Sequence, residues 1–196
     1  GKIGNTDYRD VQSDLVAAQE AGAKGILLSI SSPGGTVAGA EETAKMIEGL
    51  SIPSVTHYHG NGCSAAYKLG CGTMASVAAP SASVGNIGTI RVYQDASKLM
   101  ANMGVEVHAI TNEGADLKST LHKMPLSDEQ KQFLQESIND AGESFKNHVL
   151  SNRPDVDHEV FKAGWYKGQK AVELGLVDSI GSLEDAKNIL RATMAV

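Results

Sequence analysis

The sequence predicts an α/β fold in which strand and helix units repeat within a single domain, residues 1–196. Strand-like and helix-like segments alternate along the chain, and glycine-rich turns separate them. This order is typical of a mostly parallel sheet covered by helices. A chain of 196 residues with 41% hydrophobic and 20% charged residues is long enough to bury the core of one such domain.

The first third of the chain supplies the clearest elements. Residues 6–22 carry apolar residues at helical spacing, and the short apolar run 24–30 is typical of a buried strand. Residues 31–35 have turn chemistry, and residues 37–50 repeat the helical spacing. Residues 54–59 alternate in polarity, which predicts a second strand.

The rest of the chain continues the alternation. The predicted elements are a helix over 63–72, strands over 74–80, 87–93 and 105–111, helices over 95–104 and 127–153, and two tail helices around a short strand within 167–190. Ser127 followed by Gln130 resembles a capping box at the start of the longest helix. The apolar face of that helix is predicted to consist of Phe133, Ile138, Phe145 and Val149.

Composition and charge exclude several function classes. The net charge of −6 and the aromatic share of 5% argue against a nucleic-acid surface, because such surfaces need clustered Lys and Arg and stacking platforms. No apolar run approaches the ~20 residues of a membrane span. The segment GKIGNTDYRD lacks the apolar core of a signal peptide.

The two cysteines, Cys63 and Cys71, predict neither a disulfide nor a zinc site. If the segment between them is helical, they lie about 12 Å apart, whereas a disulfide needs Cα atoms within ~7 Å. Two cysteines without histidines at matching spacing do not form a zinc site. We therefore expect reduced thiols, a reducing compartment and no metal.

Two glycine turns carry the candidate chemistry. In ISSPGGTV, Gly34 and Gly35 follow a strand and open a helix, so their N–H groups form a candidate anion site. A plain strand-to-helix turn explains the same residues. In HGNGCSAAYKLGCG, Ser64 stands where a strand meets a helix, and the N–H of Ala65 is placed to join an oxyanion hole. An N-cap serine is the alternative there.

A serine nucleophile needs a base, and the residues alone leave its identity open. Lys68 lies one helical turn from Ser64, but a solvated helix face explains it more simply. His57 and His59 share one side of a strand, where structural roles are commoner. Cys63 has no neighbour that obviously lowers its pKa. Lys118, in the polar segment NEGADLKSTLHKMPLS, is a further candidate, since burial can make a lysine a base.

Four segments, taken in order, resemble one known family. SISSPGGTVAGAEETAKMI, GNGCSAAYKLG, SVGNIGTI and GADLKS are together similar to the signal peptide peptidase A family of serine peptidases. The resemblance runs from about Tyr8 to about Leu190. It implies a Ser-Lys dyad on a Clp protease/crotonase-type fold of repeated ββα units. The SAAY form, the tail GWYKGQKAVELGLVDSIGSLEDA and the chain length resemble the phage branch, the head-maturation proteases of the minor capsid protein C type.

The resemblance also implies residue roles. Ser64 matches the nucleophile and Lys118 the general base. Gly35 and Ala65 match the two positions whose N–H groups form the oxyanion hole, and Gly34 assists them.

Three departures from the family pattern accompany these matches. Ala65-Ala66 stands where many members have Gly-Gly. Asn86 stands where the bacterial branch has a serine that holds the lysine, and an amide can make the same hydrogen bond. The motif GADLKS has one extra residue before its lysine, which makes Lys123 a second, less favoured base.

The implied function is a serine endopeptidase that processes capsid or scaffold proteins during phage head maturation. It would act on polypeptides as a ring-like homo-oligomer, without a cofactor, in the host cytoplasm or prohead. One alternative is a bacterial peptidase of signal peptides or membrane-protein fragments, associated with the membrane. The others are a non-catalytic ClpP/crotonase-like scaffold and an acyl-CoA enzyme, which would need neither Ser64 nor Lys118. The family's usual first strand is expected upstream of residue 1 or is missing.

Overall fold

The computed structural model describes residues 6–118 and 124–194. Its internal contacts divide the chain into two units. The first unit consists of Gly1–Gly88 and Ser144–Val196, and the second of Thr89–Glu143. The two units differ in secondary structure, because all six strands among the described residues belong to the first unit.

The first unit is built on one sheet. Its strands are β1 (Ile26–Ser32), β2 (Ser54–Cys63), β3 (Ala75–Ala78), β4 (Ser83–Gly85), β5 (Trp165–Lys167) and β6 (Ser179–Ile180). The long strand β2 pairs in parallel with β1, β3 and β4, and β3 pairs in parallel with β6. Only β4 and β5 pair antiparallel within the described sheet. The mostly parallel sheet predicted from the sequence is therefore confirmed.

Helices of the first unit cover both faces of its sheet. The described helices of the two units are α1 (Tyr8–Glu20), α2 (Ala40–Glu48), α3 (Ala65–Gly70), α4 (Ser97–Asn102), α5 (Asp128–Asn152), α6 (Gly168–Glu173) and α7 (Leu183–Met194), with a 3₁₀ helix over His158–Lys162. The predicted capping box is present, since Ser127 Oγ accepts from the Gln130 N–H at 3.1 Å and Gln130 Oε1 accepts from the Ser127 N–H at 3.1 Å.

The core of the first unit lies on the two faces of β2, whose side chains alternate. Tyr58 and Tyr67 stack at 6.1 Å between ring centroids, in a cluster that includes Val84, Val149 and Leu176. On the opposite face, α7 packs its own apolar side chains against strand residues; the buried members are Val55, Val77, Ala186 and Leu190. The strand that leads to Ser64 is therefore held from both sides.

Two strand predictions are wrong. Among the described residues, neither 87–93 nor 105–111 forms a strand. The strand near the first segment is instead β4, at Ser83–Gly85, and the three-residue β5 was not predicted. A segment with strand-forming residues becomes a strand only where a neighbouring strand completes the hydrogen-bond ladder. Ile90 and Ile110, in these two segments, are 85% and 94% exposed.

The second unit contains α4 and, by sequence, the first part of α5.

The long helix α5 had four residues predicted on its apolar face. Of these, Phe145 and Val149 are buried, whereas Phe133 is exposed. Across residues 6–118 and 124–194, no helix has the length and apolar character that crossing a membrane requires.

Candidate active site

Ser64 lies where β2 ends and α3 begins. Its backbone has φ 54° and ψ −129°, an unusual conformation for a residue with a side chain. It holds the N-cap position of α3, yet among the described residues its side chain caps no helix N–H. The alternative role of a capping serine is therefore not realised. A serine on a strained strand-to-helix turn is the arrangement called a nucleophile elbow.

Small residues around Ser64 permit this turn. A Cβ at Gly62 would collide with the ring of Tyr58, so the strand can pass the buried tyrosine only with glycine there. Ala65 and Ala66 follow and are both buried. The segment Gly62-Cys63-Ser64-Ala65-Ala66 places small residues two positions before and after the serine. This spacing is the sequence signal for the elbow.

The glycine turn of residues 33–39, here called the glycine loop, lies against Ser64. A Cβ at Gly34, which has φ 127°, would stand 2.7 Å from Ser64 Cβ and 3.1 Å from Ser64 Oγ. Ser32 Oγ steadies the loop by accepting from the Gly34 N–H at 3.2 Å and donating to the Gly34 carbonyl at 3.1 Å. A Cβ at Gly35 would lie 4.0 Å from Ala65 Cβ. The structure thus brings Gly34, Gly35, Ser64 and Ala65 together.

The amide groups at this junction have distinct roles. The Ser64 N–H donates to the Gly85 carbonyl at 2.9 Å, so β4 holds the serine backbone. Ala65 is the first residue of α3, and the N–H of a first helical residue has no acceptor within its own helix. That N–H and the N–H of Gly35 are the candidate oxyanion donors. Their role as oxyanion donors stays a prediction.

Tyr8 supports the glycine loop from its other side. Its hydroxyl donates to the Thr36 carbonyl at 2.8 Å. Cβ atoms at Gly35 and Gly39 would both meet the Tyr8 side chain, at 2.7 Å and 2.6 Å. Burial raises the pKa of the Tyr8 hydroxyl, so it remains a donor at neutral pH. Sequence reasoning missed Tyr8, because nothing in the spacing links the first helix to this loop.

Asn86, the predicted supporting residue for the dyad, directly follows the last residue of β4. Its backbone has φ 52°. Its side-chain amide donates to the Ala163 carbonyl at 2.8 Å, and its backbone N–H donates to the Gly164 carbonyl at 2.7 Å. Asn86 therefore ties the chain after β4 to the segment that leads into β5. Its part in a dyad stays a prediction.

Lys118, the predicted base, lies in the second unit, and its side chain is exposed in the single chain. The turn before it is closed by the Lys118 N–H, which donates to the Ala115 carbonyl at 3.0 Å. Gln130 Nε2 also donates to the Asp116 carbonyl at 2.8 Å. Lys123, the less favoured base, lies outside the described residues.

The prediction that Lys68 lies on a solvated helix face is wrong. Its side chain is only 8% exposed and forms an ion pair with Glu41 of α2. The hydrogen bond from Lys68 is the main reason that the pKa of Glu41 falls to about 2. Lys45 Nζ also approaches Glu41 at 3.2 Å, and Ser144 Oγ donates to Glu41 at 3.1 Å. Three elements thus meet at one carboxylate.

The other candidate bases and nucleophiles have structural surroundings. His57 is buried beneath α7, and burial lowers its pKa. His59 is exposed and its Nδ1 lies 3.1 Å from Ser29 Oγ. Both cysteines are free and buried in the described structure. Burial raises the pKa of Cys63 and raises that of Cys71 to about 12, so neither thiol is activated. Within the described residues, no cluster of three or more His, Cys, Asp or Glu side chains is arranged to hold a metal.

The chain is similar to known proteases. Residues 49–196 match Peptidase family S49. A protein described as a signal peptide peptidase SppA, from Enterococcus faecium, is 33% identical over 194 residues, which are 95% of this chain and 54% of the relative. Capsid assembly protease C of Escherichia phage lambda is 27% identical over 196 residues, which are 96% of this chain and 44% of the relative. The chain spans about half the length of the curated relatives it matches.

A solved structure supports the fold. A mutant of ClpP1 from Listeria monocytogenes superposes with a TM-score of 0.60 at 14% identity, over 91% of this chain and 86% of that chain. This likeness confirms the predicted Clp protease-type fold. The family match extends over most of the chain, and the Enterococcus relative is aligned over nearly all of it. The chain belongs to peptidase family S49.

Proposed function

We propose that the chain is a serine endopeptidase in which Ser64 attacks the scissile carbonyl and Lys118 is the general base. The observation that carries the proposal is the strained elbow at Ser64, packed against the glycine loop at Gly34. Strain of this kind is retained where it presents a side chain for chemistry. Membership of family S49 supports the same reaction class.

The reaction would proceed in two halves. Lys118 Nζ, in its neutral form, takes the Ser64 Oγ proton as Oγ bonds to the carbonyl carbon. The N–H groups of Gly35 and Ala65 receive the oxyanion, and Gly34 assists by holding the glycine loop through its hydrogen bonds with Ser32. Lys118 then gives the proton to the leaving amine, and water hydrolyses the acyl-enzyme ester. Asn86 supports the dyad through its carbonyl oxygen, because its amide nitrogen already donates to Ala163.

The active form is proposed to be a ring-like homo-oligomer. Large apolar side chains of the second unit are exposed in the single chain; among them are Ile90, Val92, Leu99, Met103 and Ile110. Surfaces of this kind mark protein–protein contacts. A general-base lysine also requires burial, whereas the Lys118 side chain is exposed in one copy. Assembly of copies would supply both the apolar cover and the burial.

The proposed substrates are capsid or scaffold proteins processed during phage head maturation. Capsid assembly protease C of phage lambda aligns with this chain over 96% of its length, which supports this role and a prohead or host-cytoplasm location. A bacterial peptidase of signal peptides or membrane-protein fragments is the second candidate. It is supported by the higher identity, 33%, of the Enterococcus relative.

A fluorophosphonate probe tests the nucleophile. We expect the probe to modify Ser64, identified by peptide mass spectrometry, and the modification to disappear in Ser64→Ala. Ser51→Ala, which removes an exposed serine away from the elbow, is the matched control and should be modified like the parent. An unmodified Ser64 in the assembled parent protein would contradict the proposal.

A cleavage assay with two substrates tests the biological role. A phage scaffold polypeptide and a synthetic signal peptide with its apolar core are offered to the parent and to Ser64→Ala. Cleavage of the scaffold in preference to the signal peptide is expected. The reverse preference would favour the bacterial role, and cleavage by Ser64→Ala at the parent rate would exclude the Ser64 mechanism.

A further inference from the structure

We propose that the ion pair between the buried Lys68 and the partly exposed Glu41 is a positioning device that holds the glycine loop in register with Ser64. The inference rests on the proposed function, in which Ser64 is the nucleophile and Gly35 and Ala65 supply the oxyanion donors. Neither Lys68 nor Glu41 takes part in the chemistry. Their role is to fix the distance between two elements that each contribute one oxyanion donor.

The pair joins the two elements close to the reacting groups. Lys68 lies one helical turn after Ser64, and its N–H donates to the Ser64 carbonyl at 3.0 Å. Glu41 is the second residue of α2, whose first residue, Ala40, directly follows the glycine loop. An ion pair between these positions therefore links the elbow helix to the end of the glycine loop.

Side chains of α5 hold the Lys68–Glu41 pair in one geometry. The Lys68 ammonium lies 5.7 Å from the centroid of the Phe145 ring, which closes one side of it. His148 Nε2 donates to the Lys68 carbonyl at 2.9 Å, so α5 also fixes the backbone. Ser144 Oγ donates to Glu41 at 3.1 Å and orients the carboxylate.

Stability alone does not explain a charged pair here. The Lys68 ammonium is removed from water, which is unfavourable, and a well-packed apolar side chain of similar volume is often as stable at such a position. An ion pair differs from apolar packing in that it is directional, so it fixes how α2 and α3 sit against each other. A misplacement of about 1 Å between catalytic elements can lower a rate roughly 100-fold. We therefore assign to the pair the role of fixing the position of α2, and with it the glycine loop, relative to α3.

The rate of acylation by the fluorophosphonate probe tests the inference in the assembled protein. Lys68→Met keeps an unbranched side chain, one heavy atom shorter than lysine, next to Phe145 and removes the charge. We expect its acylation rate constant to fall about 10- to 100-fold, while every site still becomes labelled at long times. The charge-exchanged double variant Lys68→Glu/Glu41→Lys should recover part of the rate.

Lys45→Met is the matched control. Lys45 pairs with the same carboxylate at 3.2 Å, but its side chain is exposed and lies on the same helix as Glu41. It does not connect α2 to α3, so its removal should leave the acylation rate unchanged.

Three outcomes would overturn the inference. The first is a Lys68→Met rate equal to that of the parent. The second is an unchanged rate with a smaller labelled fraction, which is the signature of partial unfolding. The third is loss of labelling to the level of Ser64→Ala, which would make Lys68 the base. If Lys68→Met does not fold, Glu41→Gln is measured against Lys45→Met by the same criteria. Failure of the parent to react at Ser64 would overturn the proposed function itself, a result distinct from these three.

Discussion

The two units of the chain use similar apolar patterns with opposite results. In the first unit, Val55 and Val77 are fully buried between paired strands and α7. In the second unit, Ile90 and Ile110 belong to segments that were also predicted to be strands, yet they are 85% and 94% exposed. An apolar segment forms a strand only where a neighbouring strand completes the hydrogen-bond ladder.

This difference separates the proposed catalytic residues. Ser64 is held by a rigid core, with its N–H bonded to Gly85 and its turn packed against Gly34. Lys118 belongs to the unit whose apolar residues lack cover in one copy. We infer that the nucleophile is preorganised in the single chain and that the base depends on assembly. The predictions below test this contrast, beginning with the largest expected effect.

Loss of the lysine in the second unit should have the largest effect. Lys118→Met is expected to lower peptide hydrolysis by about 10⁴-fold or more, because removal of a base that acts with its nucleophile removes nearly all their joint effect. Lys118→Arg should not restore activity, since a guanidinium stays charged. Steady-state hydrolysis measures both. Lys131→Met, an exposed lysine in the same unit, is the control, and an equal loss there would point to a general defect.

Filling the glycine loop should damage the first unit at the elbow. Gly34→Ala places a Cβ 2.7 Å from Ser64 Cβ and at φ 127°, so we expect a rate loss of about 100-fold. Gly22→Ala is the matched control: it also has positive φ, but no described atom lies within 4 Å of the added Cβ. It should lose ~1 kcal/mol of unfolding free energy and keep its rate. Equal rates for the two variants would show that the packing of the glycine loop against Ser64 does not affect the reaction rate.

Truncation of one apolar residue in each unit compares their packing directly. Leu176→Ala removes a fully buried side chain and should lower the unfolding free energy by about 2–5 kcal/mol. Ile110→Ala, at 94% exposure, should change it by less than about 0.5 kcal/mol in dilute, unassembled protein. Urea denaturation measures both.

A charge at the same exposed position tests whether the second unit takes part in assembly. Sedimentation at higher concentration should detect weaker association in Ile110→Glu than in the parent, because a charge would replace apolar surface at a contact. Unchanged association would remove the second unit from the proposed ring contacts.

The smallest expected effect is the change in stability on acidification. The pKa of Glu41 is about 2 in the folded chain, below its ordinary value of 4.5, chiefly because of Lys68. Its contribution is therefore fully present above about pH 4.5 and is lost as pH falls toward about pH 2. The difference in urea midpoint between the parent and Glu41→Gln should shrink from about pH 6 to about pH 3. A constant difference would mean that the carboxylate is not held ionised by the pair.

Much of the first unit could be predicted from the sequence. The helix ending before Gly22 and the strand leading to Ser64 have local signals, as does the capping box at Ser127 in the second unit, because periodicity and capping act between near neighbours. The proximity of the glycine loop to Ser64 was implied by the family resemblance, which assigns Gly35 and Ala65 to one oxyanion hole.

Other features depend on distant parts of the chain and have no local signal. The burial of Lys68 requires Glu41 on another helix and Phe145 on a third. The support of the glycine loop by Tyr8 joins residues 28 positions apart. The false strands at 87–93 and 105–111 arose because the pattern shows a strand-forming segment but not whether a partner strand is available.

The single tryptophan gives this protein a built-in optical reporter. Trp165 is the chain's one tryptophan. It is 59% exposed, and it lies on β5 directly across from Gly85, the residue whose carbonyl holds the Ser64 N–H. The Lys167 ammonium lies 5.3 Å from the centroid of its indole. Because indole emission shifts when water is excluded, covering of this sheet edge by a substrate or a second copy can be followed in the native protein without a label.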